Sequence, residues 1–360
     1  MYEPPVLPTT LPGTLWAISA YFNPAGYHSR ERNFRLASTR LRAQGVPLIV
    51  VEAALNDAPF FVRDEDADIV IRLRTQSILW HKERLLNIGM QHLPDDCDKV
   101  LWTDADVWYL NPEWPTLLSK ALERHVVVQP FRDVQQGPQG YVPPPELRVI
   151  DRTLPGECGH SSAHCCSPAP GETRIRALAG HPGYACAARR HVLESVGGLS
   201  EYMIVGGGDS LFLGACYGMR FTDNNYIGTQ KGPIRTYAEQ WCDALYAVVH
   251  GSVGSIDNEL VHLWHGDRKE RFYGERPTLI SAYDPHRDLV VRENACLEWS
   301  DAASAEMKRN VELYFMLRNE DGNTQPSDEL RCLREKLIPS RPEATNQVHE
   351  NLTPQAVQAE

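Results

Sequence analysis

Residues 100–110 read "VLWTDADVWYL", an apolar run of strand type that leads directly into Asp104 and Asp106. Two carboxylates one residue apart would be costly to bury in a core without partners. The strands and helices predicted around this segment indicate whether the two acids merely end a strand or belong to a binding site.

Apolar runs of the same kind alternate with helix-type patterns along the first part of the chain. Strands are predicted at 14–22, 46–53, 67–73, 98–103 and 125–131, and helices at 29–44, 77–94 and 111–124, with Ser77 as the cap of the second. Near-continuous apolar strands separated by helices indicate an α/β fold whose central sheet is mainly parallel and flanked by helices. In such sheets ligands bind beyond the carboxyl ends of the strands, where Asp104 and Asp106 are expected.

The rest of the chain divides by composition into further segments. We predict a flexible leader at 1–13 and a single domain at 14–319, which divides into a first half (14–131), a Pro/Gly-rich loop or insertion that could act as a lid (132–180) and a second half (181–319). The last helix is predicted at 299–319, with Ser300 as its cap. The polar residues 320–360 are expected to form a partly disordered tail.

The bulk composition narrows the class of protein. The chain has 360 residues, 42% of them hydrophobic, and a net charge of −11, which disfavours a broad nucleic-acid-binding face but leaves room for a local basic groove. No apolar stretch approaches the roughly 20 residues of a membrane span, and no signal peptide is apparent. Nine scattered cysteines fit free thiols in a reducing compartment. We therefore expect a cytoplasmic protein.

Three sequence motifs carry the candidate chemistry, and the first is the acidic pair itself. Carboxylates at i and i+2 can share one hard divalent cation, Mg²⁺ or Mn²⁺, which commonly bridges a diphosphate. The alternative is that Asp104 and Asp106 merely begin a turn. Their place after an apolar strand at the ligand edge favours the metal-binding interpretation.

The second motif is "VHLWHG", which contains His262 and His265 at the exit of a predicted strand. Neutral imidazoles bind transition metals, so a nitrogen ligand would favour Mn²⁺ over Mg²⁺. The alternative is one core histidine and one exposed histidine. We prefer His265 as the ligand, since Gly266 lets the backbone turn there, and leave His262 open as a second ligand.

The third motif is "GGGDS" at 206–210, where Gly207 and Gly208 would permit close approach of the backbone to a ligand. Asp209 follows them at the predicted start of a helix. It can be an N-cap residue or a general base, and the two roles are compatible. Basic residues on the helix 77–94, such as Lys82, and in the segment 268–271 are solvated by default, but those in 268–271 could neutralise a departing diphosphate.

Other patterns contribute less. The segment "CGHSSAHCC" (158–166) contains five potential zinc ligands in a spacing that matches no common finger, so an irregular surface loop is favoured over a structural metal site. The sequence has no P-loop, no G-x-G-x-x-G and no G-x-S-x-G motif, which disfavours a P-loop kinase, a dinucleotide oxidoreductase and an α/β-hydrolase.

Together, "VLWTDADVWYLNPEW", "YMIVGGGDSLF" and "HLWHGDRKERFY" resemble the ordered motifs of the GT-A glycosyltransferases, in particular the beta-galactosyltransferase branch, over roughly residues 14–275. The resemblance implies a GT-A (Rossmann-like) fold in which Asp106 and His265 bind Mn²⁺ and His262 is a second histidine ligand. It also implies that Asp104 touches the ribose or a metal-bound water and that Asp209 is the base of an inverting displacement. The nucleotide would contact Asn23, Arg30, Lys82, Gly207 and Gly208. The resemblance further implies that 14–319 is one catalytic domain, with a nucleotide-sugar half at 14–131 and an acceptor and metal half at 181–319.

The chain departs from that branch at several points. Gly208 stands where the branch often carries an acid, and the loop 132–180 has no evident counterpart. We also expect no equivalent of the branch's membrane anchor and stem. The resulting hypothesis is a hexosyltransferase that moves a sugar from a nucleotide-diphosphate donor, UDP-linked, to a glycan or another hydroxyl acceptor. The alternatives are a sugar-phosphate nucleotidyltransferase and a non-catalytic sugar-binding protein derived from a glycosyltransferase.

Overall fold

The central element is a seven-stranded sheet. The structure is a computed structural model, and it describes residues 8–168, 172–220, 232–325 and 327–338. The sheet consists of β1 (Thr14–Phe22), β2 (Leu48–Leu55), β3 (Ile69–Thr75), β4 (Cys97–Thr103), β6 (Val127–Gln129), β9 (Ala185–Arg189) and β10 (Val253–Ser255). Their order across the sheet is β10-β6-β9-β4-β1-β2-β3. Only β9 runs antiparallel to its neighbours β4 and β6, so the predicted mixed and mainly parallel sheet is confirmed.

The chain also forms a second sheet, which has four strands. It contains β5 (Val107–Tyr109), β7 (Asp133–Gln136), β8 (Cys158–His160) and β11 (Glu259–His262), in the order β5-β11-β7-β8. β11 is antiparallel to β5 and parallel to β7. This pairing brings the strand that follows the two aspartates next to the strand that ends at the first histidine. A short ladder joins β12 (Leu289–Val290) and β13 (Glu298–Trp299).

Helices cover both faces of the central sheet. The α-helices of the described residues are α1 (His28–Ala43), α2 (Lys82–Met90), α3 (Trp114–Arg124), α4 (Ser162–Cys165), α5 (Arg190–Ser195), α6 (Gly208–Cys216), α7 (Pro233–Val249), α8 (Pro285–Asp288), α9 (Ala305–Leu317) and α10 (Asp328–Leu337). Because side chains alternate along a strand, the fully buried neighbours Ala17 and Ile18 of β1 enter different hydrophobic cores. One core contains residues of α1 and α3, and the other contains residues of α2, α6, α7 and α9.

Two predicted helix starts differ from the observed ones. α2 begins at Lys82, and the hydroxyl of Ser77 instead accepts a hydrogen bond from the backbone of Trp299. α9 begins at Ala305, and Ser304 rather than Ser300 is its N-cap. In both cases a serine near the predicted start bonds elsewhere in the tertiary structure, which local sequence patterns do not record.

Segments that the sequence assigned to loop or tail carry defined structure. The region 132–180 contains β7, β8 and α4, and the region after 320 contains α10. At the other end, the backbone N–H of Thr9 donates to the carbonyl of Glu123 at 2.9 Å. Residues 1–7 and 339–360 lie outside the described part of the chain, as do 169–171 and 221–231. In the described part, no helix is both long enough and apolar enough to cross a membrane.

The last helix is fixed by an apolar stripe that faces α9. Leu330, Leu333 and Leu337 are buried at a spacing of three and four residues, which places them on one face of α10. Ser327 caps the helix through a hydrogen bond from the backbone of Leu330. The chain after α9 is thereby held against the domain.

Replacing Leu333 by alanine tests this packing. Because Leu333 is only 2% exposed, we expect Leu333→Ala to lower the free energy of unfolding by about 2–4 kcal/mol, measured by urea unfolding. Cys332→Ala, on the exposed side of the same helix, should change it by less than about 0.5 kcal/mol. Equal, small effects of both substitutions would show that α10 does not pack on the domain.

Candidate active site

A cleft of about 760 Å³ opens at the carboxyl ends of β1 and β4. Its lining includes Phe22 from the end of β1, Asp104 and Asp106 after β4, and His262 at the end of β11. Tyr184, immediately before β9, reaches the same edge because β9 runs antiparallel to β4. The two aspartates therefore lie at the ligand edge of the sheet, where the strand order predicted them.

Asp106, His262 and His265 form a group that could hold a metal ion. The Nε2 atoms of the two histidines are 3.0 Å apart. Asp106 lies 3.0 Å from His265 Nε2 through Oδ2 and 3.4 Å from His262 Nε2 through Oδ1. Cis ligands about 2.1 Å from an octahedral ion are roughly 3.0 Å apart, so these three side chains have the spacing that one shared divalent ion requires.

Backbone pairing explains why these residues meet although 156 positions separate Asp106 from His262 in the sequence. In the antiparallel ladder of β5 and β11, His262 is opposite Val107. One step further, the N–H of Leu263 donates to the carbonyl of Asp106 at 2.8 Å. Gly266, with φ of +89°, then turns the chain in a conformation that favours glycine, as the sequence suggested.

The side-chain chemistry also fits a metal. Asp106 Oδ1 is buried and accepts no hydrogen bond from the described residues. Burial raises the pKa of Asp106, but the imidazoles of His265 and His262 outweigh it and hold the pKa well below its usual value. The Nδ1 of His262 lies 2.7 Å from Gln136 Oε1, which can only accept, so Nδ1 carries the hydrogen and the Nε2 lone pair faces the group.

Asp104 lies outside this group and makes a different contact. Its Oδ1 is 2.6 Å from Lys82 Nζ, which also lies 2.9 Å and 3.0 Å from the two carboxylate oxygens of Asp209. Burial lowers the pKa of Lys82, but the two aspartates outweigh it and raise that pKa well above its usual value. Lys82 therefore bridges two acids predicted to act separately, rather than lying on a solvated helix face.

Asp209 is not the cap of its helix. α6 begins at Gly208, the N-cap is Gly207 with φ of +108°, and Asp209 lies in the first turn. Its carboxylate faces the cleft, and a Cβ on Gly183 would come 3.3 Å from Asp209 Oδ2. The N-cap role that the sequence left open is therefore wrong, and the role of Asp209 as a general base stays a prediction.

The two predicted ligand-binding glycines differ from each other. Gly207 lines the cleft. At Gly208, a Cβ would lie 2.1 Å from Glu83 Oε1, so this glycine is required for packing against a buried carboxyl group. That packing explains why no acid stands at position 208, where the resemblance would place one.

Five arginines of the described residues line the cleft. Arg268 is exposed, and the other four, which are at least partly buried, are Arg30, Arg271, Arg276 and Arg318. Arg30, Arg271 and Arg318 surround the carboxylate of Glu320, which is 0% exposed. Burial raises the pKa of Glu320, but Arg30, Arg318 and Arg271 outweigh it and hold the pKa well below its usual value. Sequence reasoning missed Arg276, Arg318 and Glu320; the short spacing of Arg271 and Arg276 after the histidine motif was the one available signal.

The remaining predicted residues have local roles. The amide group of Asn23 accepts from the N–H of Tyr27 and donates to its carbonyl, both at 2.9 Å, and Asn23 does not line the cleft. Arg268 lines the cleft but pairs with Glu157 at 3.0 Å, and Lys269 is exposed. In the segment 158–166, the cysteines are free thiols, and no three described side chains there lie close enough together to share a metal ion.

Comparison with known proteins gives only distant structural similarity. No protein-family model matches the chain, and no curated protein does. The catalytic domain of Drosophila beta1,4-galactosyltransferase 7 in complex with xylobiose is 13% identical, with a TM-score of 0.30 over 55% of this chain and 58% of that chain. Staphylococcus aureus TarS 1-349 in complex with UDP-GlcNAc is 10% identical, with a TM-score of 0.34 over 85% of this chain and 72% of that chain.

A third similar structure is 4-diphosphocytidyl-2C-methyl-D-erythritol synthase from Anaerococcus prevotii. It is 13% identical, with a TM-score of 0.27 over 51% of this chain and 75% of that chain. The chain thus spans less than two thirds of the length of the galactosyltransferase domain that it resembles. Similarities at this level do not assign a family or an activity, so the function has to be argued from the geometry of the cleft.

Glu83 packs against Gly208, the residue before Asp209, and its buried carboxyl group makes the folding stability depend on pH in a way that can be tested. Burial raises the pKa of Glu83 from an ordinary value of 4.5 to about 8. Between these values the folded protein holds a proton that the unfolded chain has lost, so folding stability falls as the pH rises. Glu83→Gln cannot lose this proton. We therefore expect its stability relative to the wild type to increase by about 1 kcal/mol per pH unit between about pH 5 and about pH 8.

Urea unfolding of both proteins across that pH range measures this difference. Glu335→Gln, at an exposed position of α10, serves as the control and should leave the pH dependence of the wild type unchanged. If the unfolding free energies of Glu83→Gln and the wild type ran parallel across the range, Glu83 would be ionised in the folded protein.

Proposed function

We propose that this protein is a metal-dependent glycosyltransferase that transfers a sugar from a nucleotide-diphosphate donor, UDP-linked, to an acceptor hydroxyl with inversion at the anomeric carbon. The observation that carries the proposal is the convergence of Asp106, His262 and His265 in one cleft with four arginines and the carboxylate of Asp209. A cation site, an anion-binding surface and a candidate base are the three parts that such a transfer needs.

Asp106, His262 and His265 would hold the metal. Two imidazole nitrogens favour Mn²⁺ over Mg²⁺, which takes oxygen ligands almost exclusively, although Mg²⁺ stays an alternative. When bound there, the ion would supply positive charge to the diphosphate of the donor. Gln136 accepts the Nδ1 hydrogen of His262 and so keeps its Nε2 available as a ligand.

The arginines supply fixed positive charge on the same side of the cleft. Arg271, Arg276 and Arg318 are 6%, 3% and 2% exposed, so their charges lie in a region that water screens poorly. In a chain with a net charge of −11, buried arginines that line a cleft indicate an anionic ligand. We assign the donor diphosphate to this surface. Arg271 contacts His265 directly, and Arg30 pairs with Glu320, which lies beside the same histidine.

Asp209 is proposed as the general base. The proton of the acceptor hydroxyl moves to its carboxylate, the acceptor oxygen bonds to the anomeric carbon, and the bond from that carbon to the diphosphate breaks with its electron pair on the leaving oxygen. Lys82 holds both Asp209 and Asp104 and so fixes the base relative to the acidic motif. The contact of Asp104 with the ribose stays a prediction.

The first experiment is an assay of UDP release from UDP-sugars with Mn²⁺, with Mg²⁺ and with EDTA. We expect release with Mn²⁺ and loss of it with EDTA. Asp209→Asn should lower kcat by roughly 10²- to 10⁴-fold while UDP and Mn²⁺ still bind, because the amide oxygen can still accept from Lys82 but the amide cannot take up the acceptor proton. Asp243→Asn, an exposed carboxylate on α7, should leave the rate unchanged.

Other results of that assay would contradict the proposal in distinct ways. Release of pyrophosphate from a nucleoside triphosphate and a sugar phosphate, without UDP release, would identify a nucleotidyltransferase. Sugar-nucleotide binding with no turnover on any acceptor would identify a binding protein. A full rate in Asp209→Asn would remove Asp209 as the base.

The two aspartates of the motif provide a matched pair for the metal site. Asp106→Asn should weaken Mn²⁺ binding by more than about 100-fold, because Asp106 is proposed to bind the ion itself and does not merely contact another ligand. Asp104→Asn should weaken it by less than about 10-fold, since Asp104 contacts Lys82 instead. Isothermal titration with MnCl₂ measures both, and equal losses would show that both carboxylates are ligands.

A further inference from the structure

Arg276 lines the same cleft as the three arginines around Glu320, but it packs against a different segment. Its Nη1 donates to the hydroxyl of Tyr314 at 3.0 Å. A Cβ on Gly206 would come 2.9 Å from its Nη2, so the guanidinium lies against the first glycine of the "GGGDS" motif. Asp209, the proposed base, belongs to the same motif. Arg276 is therefore next to the segment that carries the base.

The charge of Arg276 is also within electrostatic reach of Asp209. Burial lowers the pKa of Arg276, and Tyr314 and Asp209 are among the groups that act against this shift. Arg276 is only 3% exposed, and its guanidinium stays charged because arginine keeps its proton in proteins. A fixed positive charge thus lies where a hydroxyl acceptor has to approach the base.

Two aromatic side chains flank the guanidinium. Its central carbon is 5.0 Å from the ring centroid of Tyr273 and 5.9 Å from that of Trp80. Contacts of this kind hold a cation in place. Both rings line the cleft, and Tyr273 is 42% exposed, so an incoming molecule can reach it from solvent. The rings add apolar faces, against which the C–H groups of a sugar ring can pack.

We propose that Arg276, Trp80 and Tyr273 form an acceptor subsite, which binds an acceptor that carries an acidic group, a carboxylate or a phosphate, beside the attacking hydroxyl. The proposal rests on the proposed function, because it names the class of acceptor for the same cleft. It also divides the cationic surface into two parts. The arginines around Glu320 serve the donor diphosphate, and Arg276 serves the acceptor.

The order of contacts across the cleft supports this division. Arg271 Nη2 lies 2.7 Å from Nδ1 of His265, a proposed metal ligand. Arg318 comes next, with its guanidinium 4.9 Å from the ring centroid of Trp80, and Arg276 follows on the same ring. An inverting displacement places the attacking hydroxyl and the diphosphate on opposite sides of the anomeric carbon. The arginine nearest the base is therefore at the acceptor's end of the cleft.

The test measures acceptor binding after the place of the donor diphosphate has been filled. With UDP and Mn²⁺ at saturation, a second anion has to bind elsewhere in the cleft. Isothermal titration then compares glucose, glucuronate and glucose 6-phosphate, which differ in the group on one carbon. We expect at least one of the two anions to bind about 10-fold or more tightly than glucose, because arginine forms charge-assisted hydrogen bonds with it. The preferred anion shows which acidic group the subsite takes.

A matched pair of variants assigns this binding to Arg276. Arg276→Gln removes the charge and should raise the Kd of the preferred anion about 10- to 100-fold while UDP and Mn²⁺ still bind. Arg189 is also 3% exposed, donates to the carbonyl of Leu122 at 2.8 Å and does not line the cleft. Arg189→Gln should therefore leave the Kd within about twofold. Circular dichroism shows whether each variant is folded.

The anion could instead occupy the place of the donor sugar, and a further titration separates the two positions. UDP-glucose with Mn²⁺ fills that place in Asp209→Asn, where turnover is expected to be slow. Anion binding should persist there. Its loss would put the anion at the donor sugar and overturn the proposal.

The wild type alone tests the proposal if Arg276→Gln does not fold. Equal affinity for glucose and both anions, or no binding of either anion, would overturn it. A folded Arg276→Gln that binds the anion as tightly as the wild type would do the same. Failure of the wild type to bind UDP with Mn²⁺ would instead contradict the proposed function, so the two failures are distinguishable.

Discussion

The antiparallel pairing of β5 with β11 is the constraint on which the candidate site depends. Its register places His262 opposite Val107, one residue after Asp106. A shift by one residue would turn every side chain of β11 to the other face of the sheet. The metal-competent group would then be lost, although the fold could persist. The ladder has only three residue pairs, and its register is reinforced because β11 also pairs in parallel with β7.

Charge is distributed in the cleft in two separate groups. On one side, Asp106 and two histidines adjoin the arginines around Glu320. On the other, Lys82 bridges Asp104 and Asp209. Buried charges are expensive to desolvate and add little net stability, so two such groups in one cleft indicate a candidate functional site rather than a contribution to folding.

Features encoded by local patterns could be predicted from the sequence. The near-continuous apolar run of β2, buried along almost its whole length, predicted a covered parallel sheet. The position of Asp106 after β4 and the glycine after His265 predicted a metal-binding edge. The sheet was confirmed because strand burial follows from neighbouring residues, and Gly266 has the positive φ that its place after His265 suggested. Metal binding at this edge stays a prediction.

Features created by contacts distant in the chain could not be predicted. Glu320 is 290 residues from Arg30 in the sequence, and no periodic pattern links them. From the sequence, Lys82 is by default a solvated charge on a helix. Its ion pairs with Asp104 and Asp209 form because the fold brings the start of α2, the start of α6 and the end of β4 together. Gln136 belonged to a segment that seemed to be a loop, although its side chain sets the tautomer of His262.

The most direct test of the proposed metal site is an anomalous difference map, recorded at the manganese absorption edge, from crystals grown with MnCl₂ and UDP. We expect one strong peak within coordination distance of Asp106, His262 and His265, with the UDP diphosphate between that peak and the arginines around Glu320. A peak elsewhere in the cleft, or UDP bound with no peak at these three residues, would contradict it.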